Sequence, residues 1–211
     1  VKNVFDPQTE LTKSYIDPGA DIPEPPPILD IGGVTTLTGG NISTIIGKAK
    51  SRKTFFTVGL LAAASGGSWG PMEGRRTGKN ILWFDTEMSL FHAAKMVKRS
   101  YTLGAKNLNA YSLRQYTPAQ RLQLIDHAIH NTPDLGLVAI DGIRDLLMRG
   151  INDEEESTQV ISNFYKWTTE LDLHILLLLH VNKNDMNARG HIGSELTNKS
   201  ESVLMVAKAE N

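Results

Sequence analysis

Four places in this sequence carry side chains whose type and spacing could act on a phosphate. The first is Gly47-Lys48-Ala49-Lys50-Ser51-Arg52-Lys53-Thr54, running on into Phe55. Its spacing follows G-x-x-x-x-G-K-[ST]. In that motif backbone N–H groups at a helix N-terminus wrap an anion, the lysine reaches the β- and γ-phosphates, and the hydroxyl sits on Mg²⁺. Gly47, Lys53 and Thr54 fit, while Arg52 stands where the second glycine belongs, which removes backbone freedom near the phosphates. Other registers fit worse: Lys50-Ser51 would need glycine at Thr44 and Ala49, and Lys48 is followed by no hydroxyl. The other three places are single residues closing apolar runs, namely Glu87, Asp141 and His180.

Together these residues answer the needs of a hydrolytic NTPase. Such a site requires a cation on the phosphates, Mg²⁺ held by a hydroxyl and an acidic strand end, and a group that orients water. Lys53, Thr54, Asp141 and Glu87 supply these in turn, and His180 stands where a side chain could report the γ-phosphate to a neighbouring loop. Each has a plainer reading. The loop could be a basic turn, Asp141-Gly142 a turn dipeptide, Glu87 a helix cap and His180 a satisfied core histidine. Their common position at strand ends decides the matter, because ligands of parallel α/β sheets bind at the C-terminal edge.

The elements that must hold them can be read from the apolar runs. Ile42, Ile45 and Ile46 mark a strand into the loop, and residues 55–64, with only Thr57 polar, mark a buried helix. Residues 81–84 and 137–141 are continuous apolar runs ending in acids, and 174–180 holds Ile175-Leu176-Leu177-Leu178-Leu179 before His180. Such runs suit strands buried on both faces. Weaker strands are expected at 110–113, 203–207 and 31–37, the last turned at Gly39-Gly40. Residues 65–78 read as a glycine-rich loop. Helices are expected at 88–101, with Leu90, Ala94 and Val97 on one face, after Thr117-Pro118, and from the cap-like cluster Asn152-Asp153-Glu154-Glu155 through about 171. Residues 182–198 read as a polar stretch. Alternating strands and helices predict an α/β fold with a mostly parallel sheet.

Composition narrows the class. The 211 residues make one domain, here 30–211, with a proline-rich arm over 1–29 that is expected to be extended and to lie on the surface or on a neighbouring subunit. With a net charge of −1, any nucleic-acid contact must come from a local patch. The absence of cysteine excludes a disulfide framework and a thiolate metal site, and fits a reducing, cytoplasmic setting. No run approaches the ~20 apolar residues of a membrane span, and the first residues show no signal-peptide pattern. The sequence starts at Val1, which reads as a trimmed or processed start.

Over about residues 30–208 the order Gly47…Lys53-Thr54, Phe84-Asp85-Thr86-Glu87, Val138-Ala139-Ile140-Asp141 and Leu178-Leu179-His180 resembles the RecA-like P-loop ATPases. Within them it is most similar to the RepA-type branch of plasmid and phage replication helicases and to AAA-type proteins on mobile elements of Bacteroides-like bacteria. The resemblance implies a RecA-like core of parallel twisted sheet with helices on both faces, the His180 strand lying between the phosphate-loop and Asp141 strands. It makes Glu87 the catalytic glutamate, Asp141 the Walker B acid and His180 the sensor. Residues 189–194 would belong to a DNA-facing loop, with Lys183, Arg189 and Lys199 the candidates for contacting single-stranded DNA. Relatives work as hexameric rings or filaments in which a basic finger reaches the neighbour's nucleotide; Lys199 and Lys208 are the candidates. Relatives also carry further strands, before which this sequence is expected to stop. The implied activity is ATP- and Mg²⁺-dependent hydrolysis by a helicase-like motor. The alternatives are a non-catalytic nucleotide-dependent switch, kept open by Arg52, and a P-loop kinase, against which Glu87 and the lack of an Arg-rich lid both argue.

Overall fold

The apolar runs of the sequence become neighbouring parallel strands. The structure, a computed structural model describing residues 5–76, 78–181 and 188–208, begins with α1 (Pro7–Lys13) and a hairpin of β1 (Pro27–Ile31) and β2 (Val34–Thr38). β3 (Ile42–Gly47) then leads through the loop into α2 (Lys53–Ala64). Two short strands, β4 (Ser68–Trp69) and β5 (Met72–Gly74), precede β6 (Asn80–Asp85), α3 (Leu90–Thr102) and β7 (Leu108–Ser112). After these come α4 (Pro118–Asn131), β8 (Leu135–Asp141), a 3-10 turn (Ile143–Leu146) and α5 (Glu154–Leu171). β9 (His174–His180), α6 (Gly190–Lys199) and β10 (Ser202–Met205) complete the order.

Six strands form an all-parallel sheet in the order β10-β3-β9-β8-β6-β7. β9 lies between β3 and β8, as the resemblance implies. Because strand side chains alternate between faces, each strand feeds two cores. Ile42, Ile46, Phe84, Ile140 and Leu177 pack with Ile125, Phe164 and Leu196 from α4, α5 and α6. Ile45, Trp83, Ala139 and Leu176 pack with Val58 and Leu61 of α2 on the other face. Each fully buried aliphatic or aromatic side chain of this kind contributes roughly 1.5–3 kcal/mol. The architecture is the α/β fold of a RecA-like P-loop NTPase core. Among the described residues no helix is long and apolar enough to cross a membrane.

The structure departs from the sequence reading in five places. The expected strand at 31–37 is a hairpin turned at Gly32-Gly33, and residues 27–29, assigned above to the arm, already belong to β1. Within the arm a short helix forms: Asp6 caps it by accepting from the Thr9 N–H, and Pro7 occupies the first turn. That is a cap-and-proline signal overshadowed by the proline run that follows. The glycine-rich loop contains the β4–β5 pair. On α3 the buried face is Ala93, Met96, Val97 and Ser100, so Leu90 and Ala94 lie outside it and Leu90 is 74% exposed. The polar stretch contains α6, anchored by Ile192 and Leu196 four residues apart.

Candidate nucleotide site

Parallel register carries the selected residues to one edge of the sheet. Gly47 pairs with His180 at the ends of β3 and β9, and Asp141 of β8 lies opposite Leu178 and Asp85. Glu87 follows β6 by two residues; the Asp85 carboxylate holds that turn by accepting from the Met88 N–H at 3.2 Å. Behind it the Thr86 hydroxyl is 3.0 Å from the Asp141 carbonyl and 2.9 Å from the Asp145 carboxylate. Thr86 thereby ties the Glu87 turn to the segment after β8.

The chemistry-bearing atoms meet around Lys53. Its ammonium donates to the Gly47 carbonyl at 2.9 Å and lies 2.9 Å from His180 Nδ1. An ammonium can only donate, so Nδ1 accepts and the ring proton sits on Nε2, which faces Glu87 Oε1 at 3.7 Å. Lys53, His180 and Glu87 therefore form one chain across three strand ends. Burial lowers the Lys53 pKa, against the pull of Asp141 and Glu87. The neighbouring His180 holds Glu87 below its ordinary value. Thr54 Oγ1 donates to Asp141 Oδ2 at 2.7 Å, and burial pushes Asp141 up to about 7. Burial likewise raises Asp85.

The loop between β3 and α2 keeps the backbone of a phosphate loop without its second glycine. Arg52, at the glycine's place, has φ 73° and Lys50 has φ 63°, a left-handed conformation that L-residues enter only at a cost. Gly47 is required for a different reason: a Cβ there would lie 2.4 Å from the Val206 carbonyl and 2.7 Å from Ser51 Oγ. The Ser51 hydroxyl is buried inside the loop with no partner among the described residues.

A family model described as AAA domain matches residues 7–186. The chain belongs to that family. It is an ATPase-type P-loop protein, and no curated protein matches it. AAA ATPases generally bind ATP with Mg²⁺, and the residues present fit that pair. The orphaned Ser51 hydroxyl, the Lys53 ammonium and the N-terminus of α2 converge on one loop, while Thr54 and Asp141 offer a hydroxyl and a carboxylate side by side. No cluster of three or more His, Cys, Asp or Glu side chains able to hold a metal occurs among the described residues. Mg²⁺ takes one or two protein oxygens and completes its shell with phosphates and water, and Thr54 and Asp141 would supply those oxygens.

Beside this AAA site lies a cleft of about 440 Å³ lined by Glu87, His180, Asp145, Arg114, Arg144 and Arg189, among others. Arg114 and Arg144 escaped the sequence reading. Each lies two or three residues beyond a parallel strand, so a survey of basic residues just past strand ends would have found them. Other arginines are engaged: Arg75 with Asp30, Arg76 with Asp172, Arg149 with Glu155, and Arg121 with three backbone carbonyls. Among the described residues none of the three cleft arginines meets a carboxylate within ion-pair distance.

The remaining candidates scatter. Arg189 opens α6 at the ligand edge and Lys199 closes it, about 15 Å away by helix rise. Lys199 lies towards the opposite edge, where β10 starts, and pairs with Glu195 at 2.7 Å. Lys208 is exposed and lines a hollow with Lys48, Lys50 and Ser51 of its own phosphate loop. Lys183 lies outside the described residues.

Proposed function

We propose that this AAA-family ATPase is a helicase-like motor that hydrolyses ATP with Mg²⁺ while holding single-stranded DNA, working as a homo-oligomeric ring or filament. The observation that carries the reading is the shared cleft. Glu87, the water-orienting group, and three arginines without carboxylate partners among the described residues line the same walls. A polyanion there would lie against the residues that act on the nucleotide, so hydrolysis and backbone grip are linked through Glu87 and His180. Lys53 and the loop amides hold the phosphates, Thr54 and Asp141 hold Mg²⁺, and Glu87 takes the proton of the attacking water. Mg²⁺, when bound, neutralises charge on the phosphate oxygens. Lys208, on the ligand edge, is the finger candidate retained. A role in replication or mobilisation of a genetic element rests on the resemblance of the motif set.

A non-catalytic switch is the second reading, favoured by the strained Lys50 and Arg52. The test is ATP turnover with and without a single-stranded oligonucleotide, in wild type and Glu87→Gln. A motor is expected to be stimulated by DNA and to lose ~10²-fold or more in Glu87→Gln with nucleotide binding kept. Arg114→Ala and Arg144→Ala should each lower the log–log salt slope of DNA binding by about 0.7. Equal turnover in wild type and Glu87→Gln would leave the switch.

A further inference from the structure

The turn that presents Glu87 is held from behind by two contacts, and both lead to one side chain. The Leu113 N–H donates to the Asp85 carbonyl at 2.7 Å. The Thr86 hydroxyl reaches the Asp145 carboxylate at 2.9 Å. Asp85 and Thr86 are the two residues before Glu87, while Leu113 follows β7 and Asp145 lies in the 3-10 turn after β8. Both of these outer residues offer their carbonyls to Arg121 of α4: Nε donates to Leu113 at 3.0 Å and Nη1 to Asp145 at 2.6 Å. Nη2 donates to the Arg114 carbonyl at 3.0 Å. The guanidinium thus forks across three carbonyls on two loops, a planar geometry that a lysine ammonium does not reproduce. Its base is fixed as well. The Arg121 N–H bonds the Thr117 carbonyl at 2.9 Å, and Thr117 and Gln120 close a capping box at the start of α4.

We infer that Arg121 is a positioning residue that sets the Glu87 turn and the backbones of two cleft arginines as one unit. Arg114 is held through its own carbonyl, and Arg144 through Asp145, the residue after it. Arg121 is not among the described residues that line the cleft, so it acts through others. Arg75, Arg76 and Arg149 face carboxylates. The Arg121 contact instead joins backbone to backbone, which fixes where the two loops lie and not what charge they carry. A phosphate chain drawn against Arg114 and Arg144 pulls on the loops that meet at this guanidinium. The same loops carry the contacts behind Asp85 and Thr86, so load on the cleft reaches Glu87 without passing through the phosphate loop. This rests on the roles proposed above for Glu87 and the cleft, and it names the residue that links them.

Three substitutions separate positioning from mere support of α4. Arg121→Gln removes the fork, Arg121→Lys keeps the charge and the helix propensity, and Gln123→Gly weakens α4 at an exposed place by propensity alone. Amide exchange of the full chain is followed by mass spectrometry. In both Arg121 variants, peptides covering 85–90 and 113–116 should exchange at least about tenfold faster while 47–55 keeps its rate, as expected of a local opening. Gln123→Gly should leave 85–90 as in wild type. In the Arg121 variants ATP turnover per folded molecule should fall roughly 10- to 100-fold, the scale of a catalytic group displaced by about 1 Å, with the Kd of an ATP analogue unchanged. The salt slope of binding to a single-stranded oligonucleotide should also be unchanged, since no phosphate contact is lost, while stimulation of turnover by that oligonucleotide disappears. Adding Thr86→Val to Arg121→Gln should cost no more than the larger single change, because both act on one turn. Unchanged exchange at 85–90, a lysine variant equal to wild type, equal losses in Gln123→Gly, or additive losses in the double variant would overturn the assignment. An oligonucleotide that fails to stimulate the wild type removes the motor alone, and the exchange at 85–90 still decides Arg121.

Discussion

Strand β9 begins and ends with histidine, and the two ends show how place in the sheet separates a histidine closed into the fold from one open to the candidate site. His174 is fully buried; its Nδ1 bonds the Thr38 carbonyl at 2.8 Å, and Glu201 lies 3.7 Å away. Burial depresses its pKa to about 4, so it stays neutral at physiological pH. His180, at the other end, is 40% exposed by side chain and bridges Lys53 to Glu87. The residue and the strand are the same, yet one end is closed by Thr38 and Glu201 while the other opens onto Lys53, Glu87 and a cleft of arginines. Parallel topology creates that asymmetry, since every strand delivers its last residue to one edge and its first to the other.

The largest effect expected at the open edge is from Lys53→Ala. Removing a charge-assisted phosphate contact and the His180 partner together should weaken ATP–Mg²⁺ binding roughly a hundredfold or more. Isothermal titration measures it, and undiminished affinity would remove the basis for placing nucleotide here. The contrast between the histidines comes next. His174→Ala should cost roughly 2–4 kcal/mol in urea unfolding, by leaving a cavity and an unpaired Thr38 carbonyl, with little change in turnover per folded molecule. His180→Ala should cost under about 1 kcal/mol but slow hydrolysis roughly 10- to 100-fold, the scale of a misplaced catalytic group. If the two variants fail in the same assay, the division of the edges is wrong.

The pH dependence sharpens the closed edge. His174 titrates near 6.5 when unfolded and at about 4 when folded, so between those values the unfolded chain binds more protons. Its contribution is complete above about pH 6.5 and is lost as pH falls to about 4, a change of roughly 3 kcal/mol. Asp141, raised to about 7, runs the opposite way in the ligand-free chain. The His174 part is therefore read as the difference between wild type and His174→Gln, by urea unfolding at pH 4.5 and 7. A difference that does not change with pH would mean that His174 is not buried neutral.

Much of this edge could be read before the fold was known, because buried parallel strands leave unbroken apolar runs and their closing residues stand out. Glu87, Asp141 and His180 follow from that rule and Gly47, Lys53 and Thr54 from the spacing of the phosphate-loop motif, and strand register then brings the strand ends together. What escaped was set by packing across elements. The face of α3 depends on what α2 presents to it, through contacts such as Ser100 Oγ to the Val58 carbonyl at 3.3 Å. α6 has only Ile192 and Leu196 as large apolar anchors, too few to show a helical period. Arg114 and Arg144 look like ordinary surface cations until other arginines are seen to have partners.

The smallest effect concerns backbone strain, which also divides the two edges. Left-handed φ occurs at Asn107, Asp134 and Asp172 just before β7, β8 and β9, where short polar side chains tolerate it. At the ligand edge the same conformation falls on Lys50 and Arg52, which gain nothing locally to offset it. Arg52→Gly restores the motif residue: it relieves about 1 kcal/mol of strain and gives back up to about 1 kcal/mol through a more flexible unfolded chain. The melting temperature should therefore move by no more than about 2–4 °C. Asp134→Gly, where little strain exists to relieve, should only lose stability. Arg52→Val, forcing a β-branched residue into the left-handed region, should cost roughly 1–3 kcal/mol. The three variants together locate the strain, since it alone predicts that glycine is better tolerated at 52 than at 134 and valine worse than either. A valine variant as stable as wild type would mean that the loop does not hold Arg52 in this conformation, and the second reading of the site would lose the observation that favours it.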